Sequence, residues 1–484
     1  MRNKDVEKLF IFGIIFGIIV HGMIIFNDFP NNDGIAFNYY TWQNTLTSGR
    51  WLLGMACLIT GPYTLTVVNG VVAIIFVVLS ALLIIDIFKI QNRIYQYITM
   101  TYMISFPALG ATFLYMFTVD GYMLGLFLSI LSIWIIRESK ISLVVAVLCL
   151  MGSIAIYQAY ISVTMVLCIL LIIKDILQKE KKIIKNIISY IKIGIGGSIL
   201  YYIILKILLH LFNTELVPYQ GINTLINGGY TNNVLLKIKI IYVQSIMTIY
   251  KNIFFNKLFL ICFCISYIIL MVSIIKKLNK QQIITIIICI VFLPVCLLTI
   301  YAISPDAEYH LLMKYAWVLI FIYIFVIAEF CHLQGRKNRI VIVLSSVIIY
   351  GFILSNNTAY EYAGVRYQRT LLLANRIEEQ LETGKYDLNK KIGIFYEGSH
   401  EDKYKKLEDI YPKIDTKYID ISGNNIDVFM KQYFTSEFRY MSIKEYNKIL
   451  DSGKYDFVKI DKRAYKIYED DNFIIIKVRA GDEN

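Results

Sequence analysis

About eleven apolar runs recur in the first 355 residues, near 9–26, 64–86, 95–113, 121–136, 141–156, 160–174, 186–211, 257–275, 282–301, 313–331 and 339–354. A hydrocarbon core about 30 Å thick takes about 20 apolar residues in a helix, at roughly 1.5 Å per residue. Backbone polar groups find no water at that depth, so each run must satisfy its own N–H and C=O groups as a helix. The chain is therefore read as a polytopic α-helical membrane protein of about eleven spans. Composition agrees. Hydrophobic residues make up 57% and charged residues 17%, where soluble domains carry about 45–50% and about 25%. No small-residue cleavage site follows Val20 and further spans come after it, so the first run is read as a span and not as a cleaved leader.

Charge is distributed by loop. Arg2 and Lys4, Lys89 and Arg93, Arg137 and Lys140, the lysines from Lys174 to Lys185, Lys276, Lys277 and Lys280, and Arg336, Lys337 and Arg339 fall in alternate connections. The connections between them are mostly not basic. The positive-inside rule then puts the N-terminus in the cytoplasm and the second set of loops outside. The +12 net charge is a topology signal and not a nucleic-acid footprint. One outward loop, about 213–256, carries Lys237, Lys239 and Lys251 and is read as holding an amphipathic interfacial helix. The eight cysteines lie in or beside apolar runs without metal or disulfide spacing, and read as small packing residues.

The expected domains are a transmembrane domain over 1–355 and an extracytoplasmic α/β domain over 356–484, placed outside by the odd number of spans. Within the tail, 358–383 reads as a helix leaving the membrane. Strands are expected at 391–396, 455–460 and 473–478, the last closing a hairpin with 465–468 through Asp470-Asp471-Asn472.

The outward loops hold the residues that a membrane helix does not need. The first runs from Asn27 to Trp51, twenty-five residues where about five would turn the chain. It contains Asp28, Asp33, Arg50 and Trp51. Asp120 opens the fourth run, Tyr157, Gln158 and Tyr160 form the next outward turn, and Asp306, Glu308, His310 and Lys314 lie before the tenth. Charged groups near the bilayer are costly and tend to line a site or pathway. Carboxylates, cations and aromatics on one face suit a sugar and a phosphate: rings stack on sugars, and cations stabilise a departing phosphate. Each has an ordinary reading as well. Asp33-Gly34 and Asp120-Gly121 are turn formers, Asp120 is a candidate helix cap, Arg50-Trp51 an interfacial anchor, Lys314 a snorkelling lysine and His310 a surface histidine. His21 reads as a packed residue, and Asp86 and Glu329 as solvated acids at inner helix ends. No Walker loop, GxGxxG, HExxH or metal-spaced Cys/His set is present, and Asp470-Asp471 reads as a turn. A site on the outer face has no access to cytosolic nucleotides, so an activated donor must be carried in the membrane.

The run Asn32-Asp33…Ser48-Gly49-Arg50-Trp51-Leu52, the segment Ser105-Phe-Pro107…Phe113-Leu-Tyr-Met-Phe117…Asp120-Gly-Tyr122, and Tyr360…Gly364-Val-Arg-Tyr367 with Ala374-Asn-Arg-Ile377 resemble the Gtr type-II membrane glucosyltransferases of serotype conversion. The resemblance implies a GT-C fold with the site at the outer membrane face. It implies a polyprenyl-phosphate sugar donor, typically glucose, and a surface polysaccharide acceptor. A donor-synthesising transferase and a flippase would act upstream, and no nucleic acid is involved. It also implies that the first-loop aspartate, here Asp33, is the base; a single base with direct displacement would invert the anomeric centre. Asp120 is then expected to orient substrate, Arg50 with Lys314 or His310 to hold the donor phosphate, and Asp28, Trp51, Tyr157 and Gln158 to bind substrate. Where the family often has two adjacent acids this chain has Asn32-Asp33. No cofactor is assigned, and a divalent cation stays an open alternative. A polysaccharide polymerase or ligase would share these loops. A transporter or flippase would instead bury charge in mid-span, where only Lys192 and Lys206 lie.

Overall fold

A computed structural model of the 484-residue chain describes residues 3–36, 42–139, 141–217, 234–254, 256–300, 309–384, 386–387, 389–397, 426–434, 439–452, 458–462 and 464–479. The chain divides into two compact units. One comprises Met1–Asp28 and Tyr39–Asn357; the other comprises Phe29–Asn38 and Thr358–Asn484.

Among the described residues, nine helical stretches are long and apolar enough to cross a membrane: Lys4–Ile25, Thr66–Phe88, Met116–Glu138, Gln158–Leu177, Ile183–Leu211, Lys257–Ile275, Lys280–Leu297, Leu311–Phe330 and Gly335–Thr383. The two remaining apolar runs depart from simple spans. Pro107 cuts the run 95–113 into Arg93–Ser105 and Pro107–Phe113. Its ring excludes Phe106 from helical backbone, and Phe106 is extended at ψ 133°. The run 141–156 folds as the 14-residue helix Leu143–Ile156, only about 21 Å long at 1.5 Å per residue. The loop at 213–256 contributes the helix Val234–Met247, which buries Ile241 and Ser245 and packs on Lys280–Leu297 while Val243 and Ile246 stay exposed.

Close approach between spans comes from small residues, as expected where lipid is as apolar as the side chains. A Cβ on Gly13 would meet Val78 at 2.8 Å, one on Gly17 would meet Ile74 at 2.7 Å, and one on Gly70 would meet Ile25 at 2.6 Å. The first and second spans therefore interlock. Deeper in, Tyr102, Phe106, Phe254, Phe263, Phe321 and Phe352 form an aromatic cluster with ring centroids 4.8–6.3 Å apart. His21 is packed, as its position in the first run suggests: it stacks on Phe113 at 4.3 Å, and its Nε2 lies 2.9 Å from the carbonyl of Ile104. Asp86 and Glu329 are more engaged than solvated helix-end acids would be. Asp86 accepts from the Trp134 indole at 2.8 Å, and Glu329 accepts the backbone N–H groups of Gln91 and Asn92 at 2.7 and 2.6 Å.

In the second unit, strands β1 (Lys391–Glu397), β2 (Arg439–Tyr440), β3 (Val458–Asp461), β4 (Tyr465–Glu469) and β5 (Phe473–Arg479) form one mixed sheet in the order β2-β1-β5-β4-β3. β1 runs parallel to β2 and β5; β4 runs antiparallel to β3 and β5. The hairpin turn closes where the Asp470 N–H donates to the Phe473 carbonyl at 3.0 Å. Residues 455–457 of the expected middle strand lie outside the described residues. Alternate side chains of β1 and β5, Ile392, Ile394, Ile474 and Ile476, form a core with Ala374, Ile377 and Leu381 of the long helix Gly335–Thr383.

The helix Pro107–Phe113 packs in the first unit beside Asn356, whose side-chain amide donates to the Ser105 carbonyl at 2.8 Å. A Cβ at Gly110 would collide with Asn356 Oδ1. Gly110→Ala is expected to destabilise the protein by about 1–3 kcal/mol through overpacking, and Gly110→Val by more. The check is the midpoint of thermal unfolding in detergent.

Candidate active site

Arg50 is placed by a helix end. The short helix Trp42–Thr47 stops at Gly49, whose φ of +74° is open to glycine at little cost. The Gly49 N–H donates to the Leu46 carbonyl at 2.9 Å, and the Arg50 N–H reaches back to the Thr45 carbonyl at 2.7 Å. Those two bonds make a Schellman cap, so Ser48-Gly49-Arg50 is a helix stop that turns the chain at Arg50. The turn is also clamped from outside. Tyr201 donates its hydroxyl to the Gly49 carbonyl at 2.8 Å, and Gln158 donates its amide to the Ser48 carbonyl at 3.2 Å.

The Arg50 side chain then meets two tyrosines. Its Nη1 donates to the Tyr122 hydroxyl at 3.0 Å, and its guanidinium carbon lies 5.5 Å from the centre of the Tyr157 ring. The Tyr122 and Tyr157 rings are 4.5 Å apart, and Tyr160 meets Tyr157 edge-on at 5.3 Å. A guanidinium on an aromatic face keeps its charge and its planar donors while its flat side is shielded. The 3-10 turn Gln158–Tyr160 packs on the 3-10 segment Leu311–Trp317, which carries Lys314.

Asp120 lies in the first turn of the helix Val119–Glu138 and is 1% exposed. Thr118, one residue before the helix, occupies the cap position, so Asp120 is not its N-cap. A short relay ends on the carboxylate instead. Asn69 donates to the Thr60 hydroxyl at 2.9 Å, and Thr60 lies 2.8 Å from Asp120 Oδ2 as donor. Asn69 is held in turn by the Leu65 N–H on its Oδ1 at 2.8 Å. Oδ1 of Asp120 is buried and accepts no hydrogen bond among the described residues. A buried carboxylate oxygen with spare acceptor capacity is suited to a substrate hydroxyl. Gly121 makes room for this arrangement: a Cβ there would meet Cys57 Sγ at 2.7 Å.

Lys314 is buried at 6% exposure inside a kinked segment, with φ −96° and ψ 19°. Its ammonium lies 5.3 Å from the centre of the Tyr309 ring and 3.5 Å from Asn252 Oδ1. It is therefore an interior cation, not a snorkelling one. His310 immediately precedes the same segment as its cap residue. Trp51 is packed with Leu46, Ala155, Leu205 and Leu209. Asp28 is exposed after the first span. Asp306 and Glu308 lie outside the described residues.

Asp33 belongs to the other unit. It sits in the one-turn helix Asn32–Ala36 and is half-buried. That turn is closed by Asn31: its side-chain oxygen accepts the Gly34 N–H at 2.6 Å and its carbonyl accepts the Ile35 N–H at 3.2 Å. No three of His, Cys, Asp and Glu come together as a metal-binding group among the described residues.

Tyr122 was visible in sequence only as the neighbour of Asp120-Gly121. Thr60, Asn69 and Tyr201 carried no signal. Each is an unremarkable residue near or within an apolar run, and only its long-range partner gives it a role.

A family model described as glucosyl transferase GtrII matches residues 22–356. The match takes in the first loop, the Asp120 helix and all of the Lys314 segment, and ends before the motif residues 360–377. No curated protein and no solved structure matches the chain.

A Cβ at Gly49 would meet Gln158 Nε2 at 2.8 Å and the Tyr201 hydroxyl at 2.9 Å, and the residue would be held at positive φ, at about 1–2 kcal/mol. Gly49→Ala is expected to lower the thermal midpoint by more than a Ser48→Ala control, read by the protein's retention on size exclusion after graded heating.

Proposed function

The chain belongs to the GtrII glucosyltransferase family, is a multi-pass membrane protein and by that membership is an enzyme; from this premise we propose that it transfers one hexose, glucose, from a polyprenyl-phosphate carrier to a cell-surface polysaccharide at the outer face of the cytoplasmic membrane. The observation that carries the reading is the Arg50–Tyr122–Tyr157 cluster. A guanidinium held on aromatic rings beside the end of membrane helices is a receptor for an anionic group borne on a lipid. Lys314, buried in the segment that packs against the Gln158–Tyr160 turn, adds a second cation for that phosphate, with His310 at the start of the segment. Tyr157 and the Gln158 turn flank the sugar, Asp120 accepts from a substrate hydroxyl, and Asp28 is a further polar contact.

Asp33 is the proposed base. It takes the proton of the acceptor hydroxyl as that oxygen forms its bond to the anomeric carbon. The bond from that carbon to the phosphate oxygen breaks, and polyprenyl phosphate leaves with the electron pair. One displacement on one face inverts the anomeric centre. The transporter alternative loses its main support. Lys192 and Lys206 lie on the exposed side of the helix Ile183–Leu211, with Lys206 over the Tyr202 ring at 5.7 Å, and not in a buried pathway.

Purified protein is expected to transfer glucose from polyprenyl-phosphate glucose and to be inert with a nucleotide sugar alone. Turnover on the nucleotide sugar would overturn the donor assignment. Uptake of only an intact lipid-linked oligosaccharide would favour a polymerase. In the same assay Asp33→Asn keeps the turn-forming shape but removes the base, so transfer should fall by about 10²–10⁴-fold. Asp28→Asn should lose much less. An active Asp33→Asn enzyme would remove Asp33 from the chemistry.

Orientation has its own check. Asp471 and Lys337 are both exposed. On intact cells, an impermeant thiol reagent should label a cysteine at 471 and not one at 337, each read against the unsubstituted chain. The reverse pattern would put the C-terminal unit in the cytoplasm.

A further inference from the structure

The segment that carries Asp33 is bracketed in sequence by membrane helices, yet it folds with the C-terminal residues. Phe29–Asn38 and Thr358–Asn484 form one compact unit. Two anchors hold the segment. Phe29 lies on the long helix at Gly364, where a Cβ would come within 3.0 Å of Phe29 Cζ, and its ring is 6.1 Å from that of Tyr367. Ile35, 1% exposed, is part of the domain core with Ala374, Ile377 and Leu381 of that helix and with Ile392, Ile394, Ile474 and Ile476 of the sheet. The one-turn helix Asn32–Ala36 also packs on the helix Ile426–Tyr433. Asp33 sits between the anchors, in a turn closed by both Asn31 hydrogen bonds.

This arrangement explains residues that the transmembrane chemistry leaves without a task. Gly364, Tyr367, Ala374 and Ile377 were singled out in the sequence, and all four receive the Asp33 segment. A loop of its length and polarity has no reason of its own to hold one conformation. Two apolar anchors six residues apart, Ile35 buried and Phe29 half-buried, supply that reason from either side of the carboxylate. Groups that act on reacting atoms must be held to about 0.5 Å, which rigid supporting elements do better than free loops.

We propose that the C-terminal domain is the positioning platform of the transferase, with Phe29 and Ile35 as positioning residues that set the Asp33 carboxylate through Gly364, Tyr367 and Ile377. The proposal rests on the reading of Asp33 as the base. On it, the domain is part of the catalytic apparatus of the full chain, although it need touch no substrate of its own.

The test is a double-mutant comparison in full-length protein, assayed with polyprenyl-phosphate glucose. Ile35→Ala empties the anchor, Ile35→Val keeps most of it, and Phe29→Leu tests the second anchor independently. Ile475→Ala perturbs the sheet at a buried residue outside the cluster that holds Ile35, and controls for general damage to the domain. Misplacing a reacting group by about 1 Å costs about 10²-fold. Ile35→Ala should therefore lower kcat by about 10–100-fold with the donor KM little changed, Ile35→Val should restore most of it, and Ile475→Ala should not reproduce the loss. In an Asp33→Asn background, where the group to be positioned is gone, Ile35→Ala should lower the residual rate by less than about twofold. An equal loss in both backgrounds, or no loss from either anchor variant, overturns the positioning role while leaving the base assignment standing. An active Asp33→Asn enzyme overturns the base assignment itself, and the proposal with it.

Discussion

Everything in this chain answers to one constraint: a backbone polar group in the hydrocarbon core has no water to bond to. Long apolar runs therefore close on themselves as helices, and every departure from regular helix has to be satisfied by the protein. At Phe106-Pro107 the interruption is buried, and Asn356 covers the freed Ser105 carbonyl. Between helices, 3-10 segments at Met116–Thr118 and Gln158–Tyr160 carry the chain from one helix to the next. Irregular backbone collects at these ends, and so do the polar side chains able to do chemistry.

Within the first unit the polar groups are tied to those interruptions by short, local devices. The Schellman stop at Gly49 aims Arg50, and the Tyr201 and Gln158 bonds to the carbonyls of Ser48 and Gly49 keep the stop in place. The Asn69–Thr60–Asp120 relay does the same for a buried carboxylate. In both, the charged group reaches its position because a neighbouring backbone irregularity is being satisfied. Removing the supporting polar atom would leave a buried donor or acceptor unmet, which costs more than the bond itself contributes.

The second unit solves a different problem. The face of the mixed five-stranded sheet that carries Ile392, Ile394, Ile474 and Ile476 needs cover, and the long helix contributes Ala374, Ile377 and Leu381 to it. Ile35 completes that core from a segment more than three hundred residues earlier. The hydrophobic drive that closes a small domain also fixes a loop that is distant in sequence.

Much of this was legible beforehand. The apolar runs mark the spans because bilayer thickness sets helix length, although two of the eleven, at 95–113 and 141–156, fold as shorter helices among the described residues; the apolar run 473–478 with the Asp470-Asp471-Asn472 turn specifies a hairpin on local rules alone. The family resemblance marked Asp33, Arg50 and Asp120, and residues 22–356 carry the family. Thr60, Asn69 and Tyr201 stayed invisible, because hydroxyl and amide side chains near an apolar run look alike until a partner across the fold is known. The closing hairpin and most of the spans were the sequence's to determine, since each depends on neighbours within a few residues. Which carboxylate oxygen keeps spare capacity, and which unit holds Asp33, were decided only by tertiary packing, because periodicity says which face of an element is apolar but not what will cover it.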